Sequence, residues 1–177
     1  MGKKLLNSEL NRLSNEEFAK SHKTPIVVVL DNIRSLNNIG SVFRTSDAFL
    51  IEKIYLCGIC AKPPHRDIHK TALGAEETVE WEYFEKTEDC ISKLKDNNYD
   101  IYSVEQAIDS ISLEDFEPKK ENKFALVFGN EVKGVQQKIV DMSNACIEVP
   151  QFGTKHSFNI SVTTGIVLWE CIRKIKL

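Results

Sequence analysis

The sequence predicts an α/β fold built on one mostly parallel sheet with helices on both faces. Three observations predict it. Strand-like apolar runs alternate with segments of helical periodicity, the pattern of parallel strands joined by helical crossovers. The run Ile26-Val27-Val28-Val29-Leu30 is uninterrupted by polar residues, as in a strand covered on both faces. The chain has 177 residues, 42% of them hydrophobic, which gives one domain enough material for a substantial core.

The elements follow in order. Residues 8–20 read as one or two short helices with Ser8 and Ser14 as N-caps; Glu17, three residues after Ser14, fits a capping box. Ile26 to Leu30 is the first strand. Ile39, Val42, Phe43 and Phe49 have the spacing of a helix face, and Lys53 to Cys57 is a second strand. Residues 58–75, with Pro63-Pro64, read as a long loop holding about one turn of helix. Thr78 to Trp81 reads as a short strand, Glu88 to Leu94 as a helix and Asp100 to Val104 as a strand. The acidic stretch 109–123 reads as a surface connection. Phe124 to Phe128 is a strand, Gln136 to Met142 a helix and Ala145 to Val149 the last strand. A helix of roughly 17 residues begins at Asn159, with Ile160, Val167, Leu168, Cys171, Ile172 and Ile175 among its apolar positions. There is no internal repeat and no linker composition.

Composition narrows the function. No apolar run approaches the roughly 20 residues that span a bilayer. Met1-Gly2-Lys3-Lys4-Leu5-Leu6 has too few apolar residues for a signal peptide, so a cytoplasmic location is expected. Five cysteines, an odd number, do not suggest a disulfide framework. Cys57 and Cys60 have CxxC spacing, with His65 and His69 nearby. The other cysteines are scattered, so small buried thiols are expected and no metal. Net charge is −3, which first argues against nucleic acid. Residues 76–121 hold 15 acidic and 5 basic side chains, a balance of −10, so the remainder carries +7. A basic face is therefore compatible with phosphate binding while the acidic segment lies elsewhere.

Three segments carry candidate chemistry: Asn37-Asn38-Ile39-Gly40-Ser41-Val42-Phe43-Arg44, Val127-Phe128-Gly129-Asn130-Glu131-Val132-Lys133-Gly134, and Val149-Pro150-Gln151-Phe152-Gly153 followed by Ser157-Phe158-Asn159-Ile160-Ser161. Each sits where a strand gives way to a loop and a helix, the edge of an α/β sheet where ligands bind. Asn38 is expected at or before a helix start and Arg44 within the helix. An arginine there suits a phosphate or carboxylate through its planar fork; an ion pair with Asp47 is the bland alternative. Gly129 would permit a tight turn or close approach to a ligand, and Gly134 would relieve the next turn. Glu131 could hold Arg44, bond substrate or cap a helix N-terminus. Ser157 and Asn159 could simply be N-caps. No GxGxxG or GxxxxGK[ST] pattern is present, which disfavours a dinucleotide or P-loop site.

In combination and in order, these segments resemble the three signature motifs of the SpoU/TrmH family of RNA ribose methyltransferases, over residues from about 24 to the C-terminus. The resemblance implies a short helical extension over residues 1–23 and a methyltransferase domain over 24–177, with a C-terminal trefoil knot. It implies transfer of a methyl group from S-adenosylmethionine to a ribose 2′-hydroxyl, in a homodimer whose active site is completed at the subunit interface. Arg44 matches the family's central catalytic residue. Because a free guanidinium has a pKa above about 12, orienting phosphate and ribose and stabilising alkoxide charge suits it better than accepting a proton. Asn38, Glu131, Ser157 and Asn159 match its companions at the catalytic end. Gly129, Val149, Phe158 and, less closely, Val104 match positions lining the cofactor pocket, with Gly134 in the same loop. Most relatives have leucine where this chain has Phe158.

Lys70-Thr71-Ala72-Leu73-Gly74-Ala75 also matches a family segment, and Lys62, Arg66 and Lys70 are candidate RNA contacts. Many relatives carry an added N-terminal RNA-binding domain; only about two dozen residues precede the first strand here, so none is expected. That favours tRNA, a compact RNA read by shape, over ribosomal RNA. The rival readings are a non-catalytic RNA-binding factor on the same fold and a small-molecule nucleotide-binding protein.

Overall fold

The computed structural model describes residues 2–6, 9–119 and 121–177. Its strands are Thr24–Asp31 (β1), Ile51–Cys57 (β2), Trp81–Phe84 (β3), Tyr99–Val104 (β4), Ile111–Ser112 (β5), Lys123–Phe128 (β6) and Ala145–Glu148 (β7). They form one sheet in the order β3-β2-β1-β6-β4-β7-β5, every pair parallel. Val28 stands at the centre, with Ile54 on one side and Leu126 on the other.

The helices are Asn15–Lys20 (α1), Leu36–Ala48 (α2), Arg66–Ala72 (α3), Ala75–Thr78 (α4), Thr87–Asp96 (α5), Gln137–Met142 (α6) and Ile160–Lys176 (α7). The period-two alternation of β1 divides the core between two layers. Ile26, Val28 and Leu30 join Phe18, Ile39, Phe43, Ile68 and Leu168 on the face covered by α1–α4 and α7. Val27 and Val29 join Cys90, Ile91, Leu94 and Ile139 on the face covered by α5 and α6. The continuous apolar run thus serves two cores at once.

The capping box at Ser14 is present: Ser14 Oγ accepts from the Glu17 N–H and the Glu17 carboxylate accepts from the Ser14 N–H. The Ser8 cap lies outside the described residues. Three expectations are corrected. Residues 58–75 hold more than about one turn, because α3 runs seven residues with Ile68 and Ala72 buried. The expected strand at Thr78 to Trp81 begins only at Trp81. Before it, α4 follows Gly74, and the Thr78 hydroxyl donates to Asp47 of α2 at 2.8 Å, so a tertiary contact outweighs β-branching there. The acidic connection contains β5, which pairs with β7, and its Leu113 and Phe116 are buried. A two-residue strand among carboxylates leaves no readable period.

The C-terminal ends of β1, β6, β4 and β7 share one edge of the sheet. From β1 the chain proceeds outward to β2 and β3; the later strands fill the other side. That reversal opens a crevice beyond the strand ends, and the three motif segments lie in the loops and helix starts around it.

Candidate active site

The first segment starts α2. Ser35 is the N-cap, its hydroxyl accepting from the Asn38 N–H, so Asn38 lies inside the first turn rather than at or before the helix start. Asn38 is 8% exposed and anchored from both sides. Its Nδ2 donates to Glu131 Oε1 at 3.3 Å, and its Oδ1 accepts from Asn159 Nδ2 at 3.2 Å. The amides and carboxylate of all three segments therefore form one hydrogen-bonded chain.

Glu131 also accepts from the N–H groups of Arg34 at 3.4 Å and Ser35 at 3.2 Å. Of its three expected uses, the structure shows the helix-end one, and on α2 rather than on its own following helix. Burial pushes its carboxyl up. Hydrogen bonds from its own N–H, from Arg34 and Ser35, and from the Asn38 amide outweigh that and hold it below the usual carboxylate range. Asn159 caps α7, its Oδ1 accepting from the Ser161 N–H at 2.9 Å; Ser157 lies two residues earlier in the loop and is no cap.

The second segment makes a tight loop after β6. Asn130 and Gly134 exchange backbone hydrogen bonds of 3.0 and 2.8 Å. Asn130 Nδ2 reaches the Asn32 carbonyl at 2.8 Å, pinning the loop to the end of β1. Gly129 is required by close approach: a Cβ there would lie 2.0 Å from Val135 N and 2.1 Å from the Gly134 carbonyl carbon.

A cavity of about 930 Å³ opens between these loops. Val104, Gly129, Gly134, Val149 and Phe158, the five expected cofactor residues, all line it, as do Glu131, Ser157 and Asn159. Asn38 does not line it, but is hydrogen-bonded to Glu131 and Asn159, which do. Arg44 is exposed on α2, lies outside this cavity, and its side chain has no hydrogen bond or ion pair among the described residues. Asp47, its alternative partner, accepts from Thr78 instead. Lys62, Arg66 and Lys70 lie away from the cavity. The Lys62 ammonium sits 4.3 Å from the Tyr83 ring centroid, while Arg66 and Lys70 stand one turn apart on the exposed side of α3.

The family model described as the SpoU rRNA methylase family matches residues 25–169. The chain belongs to that family. This SpoU methylase is 29% identical over 164 residues to an uncharacterized tRNA/rRNA methyltransferase of Borreliella burgdorferi, covering 91% of this chain and 69% of the relative. It is 28% identical over 173 residues to a tRNA (guanosine(18)-2′-O)-methyltransferase of Aquifex aeolicus, covering 96% and 78%. A 23S rRNA (guanosine-2′-O-)-methyltransferase of Vibrio parahaemolyticus is 26% identical over 167 residues, covering 94% and 66%. Among solved structures, the Aquifex aeolicus TrmH/SpoU tRNA modifying enzyme superposes with a TM-score of 0.80 at 24% identity, covering 90% of this chain and 80% of that one. An AdoMet-bound rRNA methyltransferase of Sinorhizobium meliloti gives 0.80 at 24%, covering 90% and 61%.

Sequence reasoning on the SpoU methylase missed three polar residues. Asp31, wholly buried at the end of β1, accepts from Thr87 Oγ1 at 2.6 Å, Gln136 Nε2 at 2.7 Å and Asn32 Nδ2 at 2.9 Å through one oxygen, and from the Gln136 N–H at 3.0 Å through the other. It ties α5 and the approach to α6 to the strand that precedes the first motif. A carboxylate closing an apolar run was the available signal. Glu105 and Gln106, just beyond Val104, also line the cavity; Gln106 Nε2 donates to the His156 carbonyl at 2.9 Å. The CxxC thiols stay structural. Cys60 bridges the Ile33 N–H and the Leu30 carbonyl, and burial pushes its thiol up to about 12. His65 Nδ1 caps α3, and His69 pairs with Glu76 at 2.6 Å. No helix among the described residues is long and apolar enough to cross a membrane.

Proposed function

We propose that this chain transfers a methyl group from S-adenosylmethionine to the 2′-hydroxyl of a ribose in structured RNA, tRNA in preference to ribosomal RNA. The observation that carries this is the hydrogen-bonded chain Glu131–Asn38–Asn159 at a cavity lined by Gly129, Val149 and Phe158. The cavity suits the cofactor: its volume of about 930 Å³ falls within the range of cofactor sites, and the glycine at 129 brings backbone to its wall. When bound, the cofactor would supply an electrophilic methyl group on a cationic sulfur, and the ribose hydroxyl that takes it would release its proton to solvent at the open cavity. Displacement is direct, without a metal or an enzyme-bound methyl. Positioning dominates such a reaction.

Gly129, Gly134, Val104, Val149 and Phe158 hold the cofactor. Asn38, Glu131, Ser157 and Asn159 order the catalytic end. Arg44 orients the substrate phosphate and ribose and stabilises developing alkoxide charge. Lys62, Arg66 and Lys70 contact RNA phosphates. The domain runs from residue 24 and works as a cytoplasmic homodimer in which Arg44 serves the partner's cavity. Its exposed place outside its own cavity supports that arrangement, and the five free, buried cysteines suit a reducing compartment. The chain is knotted: β7 inserts between β4 and β5, inside the loop that runs from β4 through β5 to β6, which supports threading of the C-terminal segment.

The test supplies tritiated S-adenosylmethionine with bulk tRNA and with ribosomal RNA, each lacking native methylation. Label is expected in tRNA as a 2′-O-methyl nucleoside. Label in ribosomal RNA alone overturns the substrate choice, and label in neither favours the non-catalytic reading. Arg44→Ala is expected to lower transfer at least about a hundredfold with cofactor affinity retained; full activity would remove Arg44 from the mechanism.

A further inference from the structure

Glu105 follows β4 directly, at the mouth of the crevice. Its N–H donates to the Ile147 carbonyl at 3.0 Å, fixing it between β4 and β7. Its Oε2 accepts from the Val135 N–H and its Oε1 from the Gln106 N–H, both at 2.9 Å. The loop is shaped around this carboxylate. Gly134 has φ +68°, and a Cβ there would lie 2.1 Å from Glu105 Oε2. Both donors to Glu105 are neutral. Among the described residues no lysine, arginine or histidine forms an ion pair with it, so its charge is solvated by dipoles and left uncompensated. The cavity wall carries three carboxylates, Glu105, Glu131 and Glu148, against one ammonium, Lys133, and one imidazole, His156. Glu131 is already engaged at the start of α2. Glu148, at the end of β7, has no side-chain hydrogen bond among the described residues, whereas the loop holds Glu105 at both oxygens. Glu105 is therefore the carboxylate fixed in place to face a cation, in a partly enclosed site where Coulomb attraction exceeds its value in water.

Resting on the methyl-transfer reading, we propose that Glu105 lets the cavity distinguish the cationic methyl donor from its neutral demethylated product. The two share the same adenosine and amino-acid ends and differ at sulfur, a positively charged sulfonium before transfer and a thioether after it. Contacts to the shared ends cannot separate them. A carboxylate facing the site favours the donor and speeds exchange after each turnover.

Titration calorimetry of the whole protein with three ligands tests this. They are S-adenosylmethionine, S-adenosylhomocysteine, and sinefungin, which carries an ammonium group in place of the methyl sulfonium. Glu105→Gln keeps the size and one acceptor for the loop. It is expected to weaken both cationic ligands about tenfold, equivalent to about 1.4 kcal/mol, and the neutral one less than about twofold. Glu105→Asp retains the charge and is expected to keep most of the wild-type preference. It also serves where the glutamine variant does not fold. An equal loss for all three ligands in Glu105→Gln, or loss of the preference in Glu105→Asp, would overturn the proposal and leave Glu105 as a loop anchor. Wild-type protein that binds none of the three overturns the methyl-transfer reading itself, whereas wild type that binds all three with no preference refutes only the role of Glu105.

Discussion

Glu131 shows how one side chain can serve both fold and site. It accepts backbone N–H groups just ahead of α2, where the helix dipole favours an anion, and it also holds Asn38. Because folding lowers its pKa below the usual 4.5, its contribution is full above that value and is lost as pH falls through the lower folded one. Glu131→Gln is expected to cost about 1 kcal/mol at neutral pH, a modest figure because the group is partly exposed. In thermal melts the gap between wild type and variant should close as pH falls from 7 to 3; a constant gap would mean that the charge contributes nothing. At this scale the sequence was informative about identity and less so about partners. The resemblance to the family motifs marked Asn38, Glu131 and Asn159 as companions at the catalytic end, but it did not give the hydrogen bonds between them, across more than 90 positions. The links from Glu131 to Ser35 and from Asn159 to Asn38 exist only once the strands are ordered.

Between elements, α2 and α3 meet closely at Gly40. A Cβ there would lie 2.2 Å from Thr71 Oγ1 and 2.3 Å from the Ile68 carbonyl oxygen. The hydroxyl could rotate away, but the backbone oxygen could not. Thr71 also donates to the Asn37 carbonyl at 2.9 Å, so α3 braces the start of the first motif. Gly40→Ala sets two effects against each other. Alanine favours a helix interior by about 1 kcal/mol over glycine, whereas overpacking costs about 1–3 kcal/mol. Contact with a fixed carbonyl places this site at the upper end, so a net loss of about 1–2 kcal/mol is expected in chemical denaturation. A gain in stability would show that the helices separate without cost. Elements with a strong period were legible: the β-branched run became β1, and the apolar stripe from Ile160 to Ile175 became α7. Strands of four to seven residues such as β2, β6 and β7 were legible too, but α4, β5 and the length of α3 were not. Four-residue α4 and two-residue β5 owe their form to Asp47 and β7, which are remote in sequence.

For the whole molecule, the outer side of α7 raises the question of a partner. Val162 and Trp169, seven residues and about two turns apart, are 50% and 49% exposed. The Trp169 ring lies 6.3 Å from Phe49, which caps the C-terminus of α2. Apolar side chains aligned along one helix face mark an interaction surface, and a second copy of the chain is the occupant proposed above. Trp169→Glu combined with Val162→Glu is expected to yield a monomer in light scattering, with cofactor binding largely kept and methyl transfer lost. The loss follows because Arg44 lies outside the cavity of its own chain. A mixing experiment separates a shared site from mere stabilisation. Arg44→Ala leaves an intact cavity without its arginine; Gly129→Ala, whose Cβ would fall 2.0 Å from Val135 N, damages the cavity and spares the arginine. If each site combines one chain's cavity with the other's arginine, mixed dimers regain one complete site and transfer returns. If both parts come from the same chain, the Gly129→Ala subunit cannot rescue its partner, and the mixture stays as inactive as its components.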